Sequence, residues 1–168
     1  MAEKEKNTCY ILLGTNQGNK IENLAIARSN IEEVLGIVKQ SSAIYETEPW
    51  GRSDQDTFLN QVLEVDTIND PDQTLFICLE IEKTMGRVRI EKWMERIIDI
   101  DILYFNDAII STDGLMIPHP EIQNRRFTLV PLVEIAPDYI HPIMKKSNKD
   151  LLDKCPDPLN VKRFVSVG

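Results

Sequence analysis

The distribution of apolar residues predicts an α+β fold: four strands and two helices in the order βαββαβ, then a C-terminal helical and strand extension. Three observations carry this reading. Two segments, Leu24 to Leu35 and the stretch after Asp70, repeat apolar side chains at helical spacing. Four others alternate, or run apolar, at strand length. Glycine, proline and capping residues punctuate the two kinds in that order. At 168 residues the chain can bury one sizeable core, so a single domain over 1–168 is expected.

Thr8 to Leu13 is the first strand, entering a turn at Gly14-Thr15-Asn16-Gln17-Gly18-Asn19. That turn lacks the spacing of a phosphate loop and is read as a tight turn close to a ligand. Leu24, Ala27, Ile31, Val34 and Leu35 mark the first helix, which Gly36 stops. Ile37 to Tyr45 is the second strand. Residues 46–56 form a polar loop broken by Pro49 and Gly51, where Trp50 is either a lid residue or packs back on the body. Thr57 to Thr67 is the third strand, with Leu59, Leu63 and Val65 on one face and Phe58, Asn60, Val62 and Glu64 on the other. An amide two residues from an aromatic can stack a flat heterocycle and bond its edge, although a core Phe beside a satisfied Asn is commoner.

Asp70 and Pro71 open the second helix as N-cap and first-turn proline, and Gly86 closes it. Leu75, Cys78, Leu79 and Glu82 share one of its faces. An arginine-rich loop then feeds the fourth strand, Ile97 to Phe105. The order is that of the ferredoxin-like split βαβ arrangement, with strand one between strands three and four and antiparallel to both. Phe58/Asn60, Asp99/Asp101 and the Gly14–Asn19 turn then meet at one sheet edge, the outer strands about 9–10 Å apart. Helices cover one face, leaving loops 46–56 and 86–96 to cover the other. Beyond the core, His119, Arg125 and Phe127 matter only if their segment folds back to the site. His141 is read as structural, and 145–168 as a polar tail that packs on the body without visible chemistry.

The chemistry concentrates on the fourth strand. Alternation puts Ile98, Ile100, Ile102 and Tyr104 on a buried face and Asp99, Asp101, Leu103 and Phe105 on the other. The two carboxylates sit roughly 6–7 Å apart, and at an effective dielectric near 20 they repel by about 2–3 kcal/mol. A cation must compensate. It is either the guanidinium groups of the 86–96 loop, in a structural network, or a hard divalent ion whose accompanying phosphates the arginines face.

The bulk numbers narrow the partners. A net charge of −8 argues against nucleic-acid or anionic-membrane binding and leaves the basic stretch 87–96 as a focused anion site. Cys9, Cys78 and Cys155 are odd in number and lack metal spacing, so no disulfide framework is expected, and the first two read as buried thiols. No apolar run reaches membrane-span length and the N-terminus carries no signal pattern, so a cytosolic protein is expected.

Taken together, Leu13-Gly14-Thr15-Asn16, Tyr45 to Gly51, Phe58-Leu59-Asn60, Glu82 to Arg89, Asp99 to Leu103, Pro118-His119-Pro120-Glu121 and Arg125-Arg126-Phe127 through Asp138 resemble the 6-hydroxymethyl-7,8-dihydropterin pyrophosphokinase family of folate biosynthesis. The resemblance covers nearly the whole chain in order. It implies transfer of pyrophosphate from ATP to the hydroxymethyl oxygen of a reduced pterin, releasing AMP. It also implies two Mg²⁺ ions on Asp99 and Asp101, with Arg87 and Arg96 joining those carboxylates in the catalytic set. Phe58 and Phe127 would sandwich the pterin, Asn60 and the Thr47–Trp50 segment with Glu48 would read its edge, and Trp93 would join these pterin residues and help close the loop. Glu82, Arg89, Lys92, Ile102, His119 and Arg125 would hold the nucleotide. The small-molecule partners are ATP and the pterin, and a monomer is expected, with a homodimer as the alternative.

The family's Trp-Gly-Pro-Arg segment is here Trp93-Met94-Glu95-Arg96, in a loop one residue shorter. Lys92 stands where Arg or His is usual, and an ammonium cannot form a bidentate fork. Pro120 replaces an aromatic found in some members. Two rivals are a different metal-dependent nucleotide-using transferase and a non-catalytic ferredoxin-like ligand-binding module. Phe58/Asn60 and Phe127 speak for a second flat ligand and against the first. A repelling carboxylate pair beside four basic residues speaks against the second.

Overall fold

The structure is a computed structural model and describes residues 5–48, 57–86 and 97–165. It is mixed α/β, built on one antiparallel sheet. The sheet contains β1 (Asn7–Thr15), β2 (Ile37–Ser41), β3 (Tyr45–Thr47), β4 (Phe58–Thr67), β5 (Asp99–Phe105) and β8 (Val161–Arg163). Its order is β5-β1-β4-β3-β8, with β2 also paired to β4. β1 lies between β4 and β5 and is antiparallel to both. A two-residue hairpin, β6 (Ile110–Ser111) with β7 (Met116–Ile117), forms a second small sheet.

Helices α1 (Lys20–Val34) and α2 (Pro71–Met85) pack on one face of the sheet. Asn19 caps α1 by accepting the Glu22 N–H. Asp70 and Gln73 form a full capping box on α2, with Pro71 in its first turn. Leu24, Ala27 and Ile31 of α1 and Cys78 and Ile81 of α2 join Leu59, Leu63, Val65, Ile98, Ile100 and Ile102 in this core. Of the residues placed by helical spacing, Val34 and Leu79 are 53% and 48% exposed, while Leu35 and, on α2, Ile81 are buried. Burial raises the Cys9 thiol strongly and the Cys78 thiol to about 12, as expected of inert buried cysteines.

The opposite face carries α3 (Arg126–Ile135) and α4 (Asn148–Asp153), which cover Tyr10, Leu12, Val62, Leu103 and Tyr104. The tail is therefore more than packing: α4 closes this second core and β8 adds an edge strand beside β3. His141 is structural, as expected; its Nδ1 accepts the Ile143 and Met144 N–H groups and its ring meets Tyr104 edge-on.

Three local expectations are corrected. The second strand is two, β2 and β3, because Ser42 turns the chain: its N–H donates to Val62 O and its Oγ accepts the Val62 N–H. Gly14 is in β1, opposite Asn60, and the turn begins after Thr15. A bulge between Tyr10 and Ile11 leaves Leu103 as an extra residue of β5, so Tyr104 and Phe105 exchange the faces that strict alternation assigns.

Candidate active site

One cavity of about 820 Å³ opens on the sheet face not covered by α1 and α2, at the end where β1, β4 and β5 meet. Asp99 and Asp101 reach it from β5, Leu12 and Gly14 from β1, and Phe58 and Asn60 from β4. The register explains this meeting: Gly14 pairs with Asn60 on one side and Asp99 on the other, and Leu12 pairs with Asp101. Strand alternation then aims all six side-chain positions at one face.

Gly14 has a specific reason to be glycine. A Cβ there would stand 2.7 Å from Asn60 Nδ2, which donates to Leu13 O at 3.2 Å. The bare backbone thus lets the Asn60 amide lie across β1. Thr47 and Glu48 enter from the end of β3; the Thr47 Oγ1 is buried and has no hydrogen-bond partner among the described residues. An unmatched buried hydroxyl costs free energy that a ligand acceptor or donor would recover.

The chain beyond β5 does fold back. Arg125 and Phe127, at the start of α3, line the cavity, and the Arg125 guanidinium lies 5.6 Å from the Phe127 ring centre. His119 is placed by the bulge: its N–H donates to the carbonyl of the extra residue, Leu103, at 2.9 Å. Its Nδ1 accepts the Glu121 N–H at 3.1 Å, which leaves the proton of the neutral ring on Nε2. Burial holds this imidazole below its ordinary value, with Asp101 pulling it up and Arg125 pushing it down.

Glu82 and Ile102 are placed differently. The Glu82 Oε2 accepts the Ile100 N–H at 2.7 Å, tying α2 to the outer side of the edge strand, and the Ile102 side chain is buried in the helix-side core. Trp50, Arg87, Arg89, Lys92, Trp93 and Arg96 lie outside the described residues. Leu12, Asn124 and Pro156–Leu159 line the cavity without having been expected there. Leu12 was available from the β1 alternation that places Gly14, but nothing local marks Pro156–Leu159, which reach the cavity only through the tertiary path of the tail.

A carboxylate pair, an aromatic pair and buried amide and hydroxyl groups around one cavity, on an α/β frame with an antiparallel sheet, define a class: enzymes acting on small molecules. Within it, the chain belongs to the 7,8-dihydro-6-hydroxymethylpterin-pyrophosphokinase family, whose model matches residues 10–137. It is 43% identical over 155 residues to the 2-amino-4-hydroxy-6-hydroxymethyldihydropteridine pyrophosphokinase of Methylorubrum extorquens, covering 92% of this chain and 96% of that one. The Aquifex aeolicus enzyme of the same name is 42% identical over 143 residues, 85% of this chain and 89% of that one. The folic acid synthesis protein fol1 of Schizosaccharomyces pombe is 38% identical over 92% of this chain, which spans only 21% of its length. In fold, the chain superposes on a Plasmodium falciparum HPPK-DHPS crystal structure with a TM-score of 0.76 at 21% identity, covering 92% of this chain and 44% of that one.

Proposed function

We propose that this chain transfers pyrophosphate from ATP to the hydroxymethyl oxygen of 6-hydroxymethyl-7,8-dihydropterin, giving the pterin diphosphate and AMP, as a step of folate biosynthesis. The observation that carries the reading is that Asp99 and Asp101 share one cavity with Phe58, Asn60 and Phe127. Its volume suits two small ligands side by side. Membership of the pyrophosphokinase family supports the same reaction.

On this reading Phe58 and Phe127 stack the pterin, while Asn60, Thr47, Glu48 and Trp50 read its edge, the orphaned Thr47 hydroxyl gaining a partner. Arg89, Lys92, His119 and Arg125 hold the nucleotide, joined by Glu82 and by the main chain of Ile102. The donor set of Asp99 and Asp101, oxygen only, fits a hard cation whose other ligands are phosphate and water. They would hold two Mg²⁺ ions, which when bound supply charge neutralisation on the phosphates. Arg87 and Arg96 complete that neutralisation, and Trp93 helps close the loop. The protein's share of the chemistry is alignment of the hydroxymethyl oxygen with the β-phosphorus and exclusion of water.

The frame we assign is the ferredoxin-like core, supported by β1 lying antiparallel between β4 and β5. Two cores on opposite faces of one sheet support a single domain over 1–168. Free thiols at Cys9 and Cys78, together with the acidic composition, support a cytosolic monomer. No helix among the described residues is long and apolar enough to cross a membrane.

The test is AMP formation from ATP and Mg²⁺ with and without the reduced hydroxymethylpterin. Pterin-dependent AMP is the expected product. ADP as product, or turnover without pterin, would reject the reaction.

A further inference from the structure

The tail segment Pro156–Leu159 forms part of the cavity wall although it lies beyond residues 10–137, which the family model matches. At its centre is Asp157, 9% exposed, with both carboxylate oxygens engaged. Oδ2 accepts the Arg126 N–H at 3.0 Å, and Oδ1 accepts the Leu159 N–H at 2.9 Å. Arg126 is the first residue of α3, and Arg125 before it makes no side-chain cap. The first N–H groups of a helix have no partner within it, and the positive end of the helix dipole favours a carboxylate there. The cap that the local sequence of α3 lacks therefore comes from 31 residues further along the chain.

The two neighbours of Arg126 are Arg125 and Phe127, both of which line the cavity. We propose that Asp157 is a positioning residue of the site. Its carboxylate pins the first turn of α3, fixing the directions of Arg125 and Phe127, and its bond to Leu159 holds the 156–159 wall in place. The proposal rests on the reading that Phe127 stacks the pterin.

The experiment measures equilibrium binding of the reduced hydroxymethylpterin, with Mg²⁺ and a non-hydrolysable ATP analogue present. It compares the wild type, Asp157→Ala, Asp157→Asn, Phe127→Ala and the two double variants, with thermal unfolding as the check on folding. Asp157→Ala is expected to weaken pterin binding about five- to tenfold, the size of one lost helix cap. Asp157→Asn, which keeps only one of the two acceptor oxygens, should lose an intermediate amount, about two- to threefold. In the Phe127→Ala background each change should weaken binding less than it does in the wild type, because the ring they position is gone while Arg125 and the 156–159 wall remain. Unchanged affinity in a folded Asp157→Ala protein would overturn the proposal, as would the same fold-loss with Phe127 already removed. Should the alanine variant not fold, Asp157→Asn decides: a loss that shrinks without Phe127 supports the proposal, and wild-type affinity or an unchanged loss without Phe127 overturns it. Failure of the wild type to bind the pterin would instead reject the functional reading on which the proposal stands.

Discussion

Asp99 and Asp101 reach one cavity because residues two apart on β5 share a face, and Leu12 and Gly14 sit opposite them on β1. Replacing Asp101 with Asn keeps the shape and removes one of two repelling charges. Turnover should fall by about 10²–10³-fold, the scale of a lost electrostatic contact to a transferring group, while the unfolding temperature holds or rises. A variant that unfolds yet retains activity without metal would contradict this. Gly14→Ala would place a Cβ against the Asn60 amide and displace it from Leu13 O. Pterin binding should weaken by about tenfold, as for a lost buried polar contact, and ATP binding far less; calorimetry with each ligand separates the two, and equal losses would count against Asn60 as a pterin contact. His141 tests burial rather than chemistry: burial holds its imidazole below the ordinary 6.5. The unfolded chain therefore takes up the proton first, so this residue costs stability as pH falls through about 6.5 and nothing above it. Thermal unfolding between pH 7.5 and 5.5 should show a shallower acid slope in His141→Asn than in wild type. At this scale the acidic pair was legible from alternation alone, and the exchange of Tyr104 and Phe105 was not, because the bulge belongs to the pairing of two distant strands.

Elements were legible where their signals are local. Asp70 and Pro71 spell a helix start, and the structure adds the Gln73 half of a capping box to it. The break between β2 and β3 has no such signal, since it depends on Ser42 replacing a main-chain partner of Val62 on another strand. The same holds for β8 and for the cap that Asp157 gives α3, both contacts across long stretches of sequence. One side-chain network joins these pieces around the site. Tyr45 Oη donates to Glu134 Oε1 at 2.6 Å, the Glu134 carboxylate also accepts the Ala43 N–H, and Arg163 of β8 lies 3.7 Å away. Burial, followed by the bond to Glu134, raises the Tyr45 phenol above its ordinary range. Tyr45→Phe should cost about 1.5–3 kcal/mol, as a hydrogen bond to a charged acceptor, read from denaturant unfolding. A change below about 0.5 kcal/mol, typical of a surface substitution, would show that the network does not anchor β3 to α3.

At the scale of the molecule, strand order places the site before any side chain is considered. With β1 central, the start of β4, the start of β5 and the end of β1 converge, and the C-terminal segment closes the other face around them. Order and convergence followed from the alternation of strand and helix signals. The half-covered face did not, because α3 and α4 carry no sequence mark of where they dock. On the proposed function, divalent cation and phosphate, rather than arginine, compensate the carboxylate pair. A crystal structure grown with Mn²⁺, a non-hydrolysable ATP analogue and the hydroxymethylpterin tests this directly. Anomalous density at Asp99 and Asp101, bridging them to the phosphates with the pterin between Phe58 and Phe127, is the predicted result. Bound ligands with no metal at the pair, and both carboxylates closed on guanidinium groups, would contradict it.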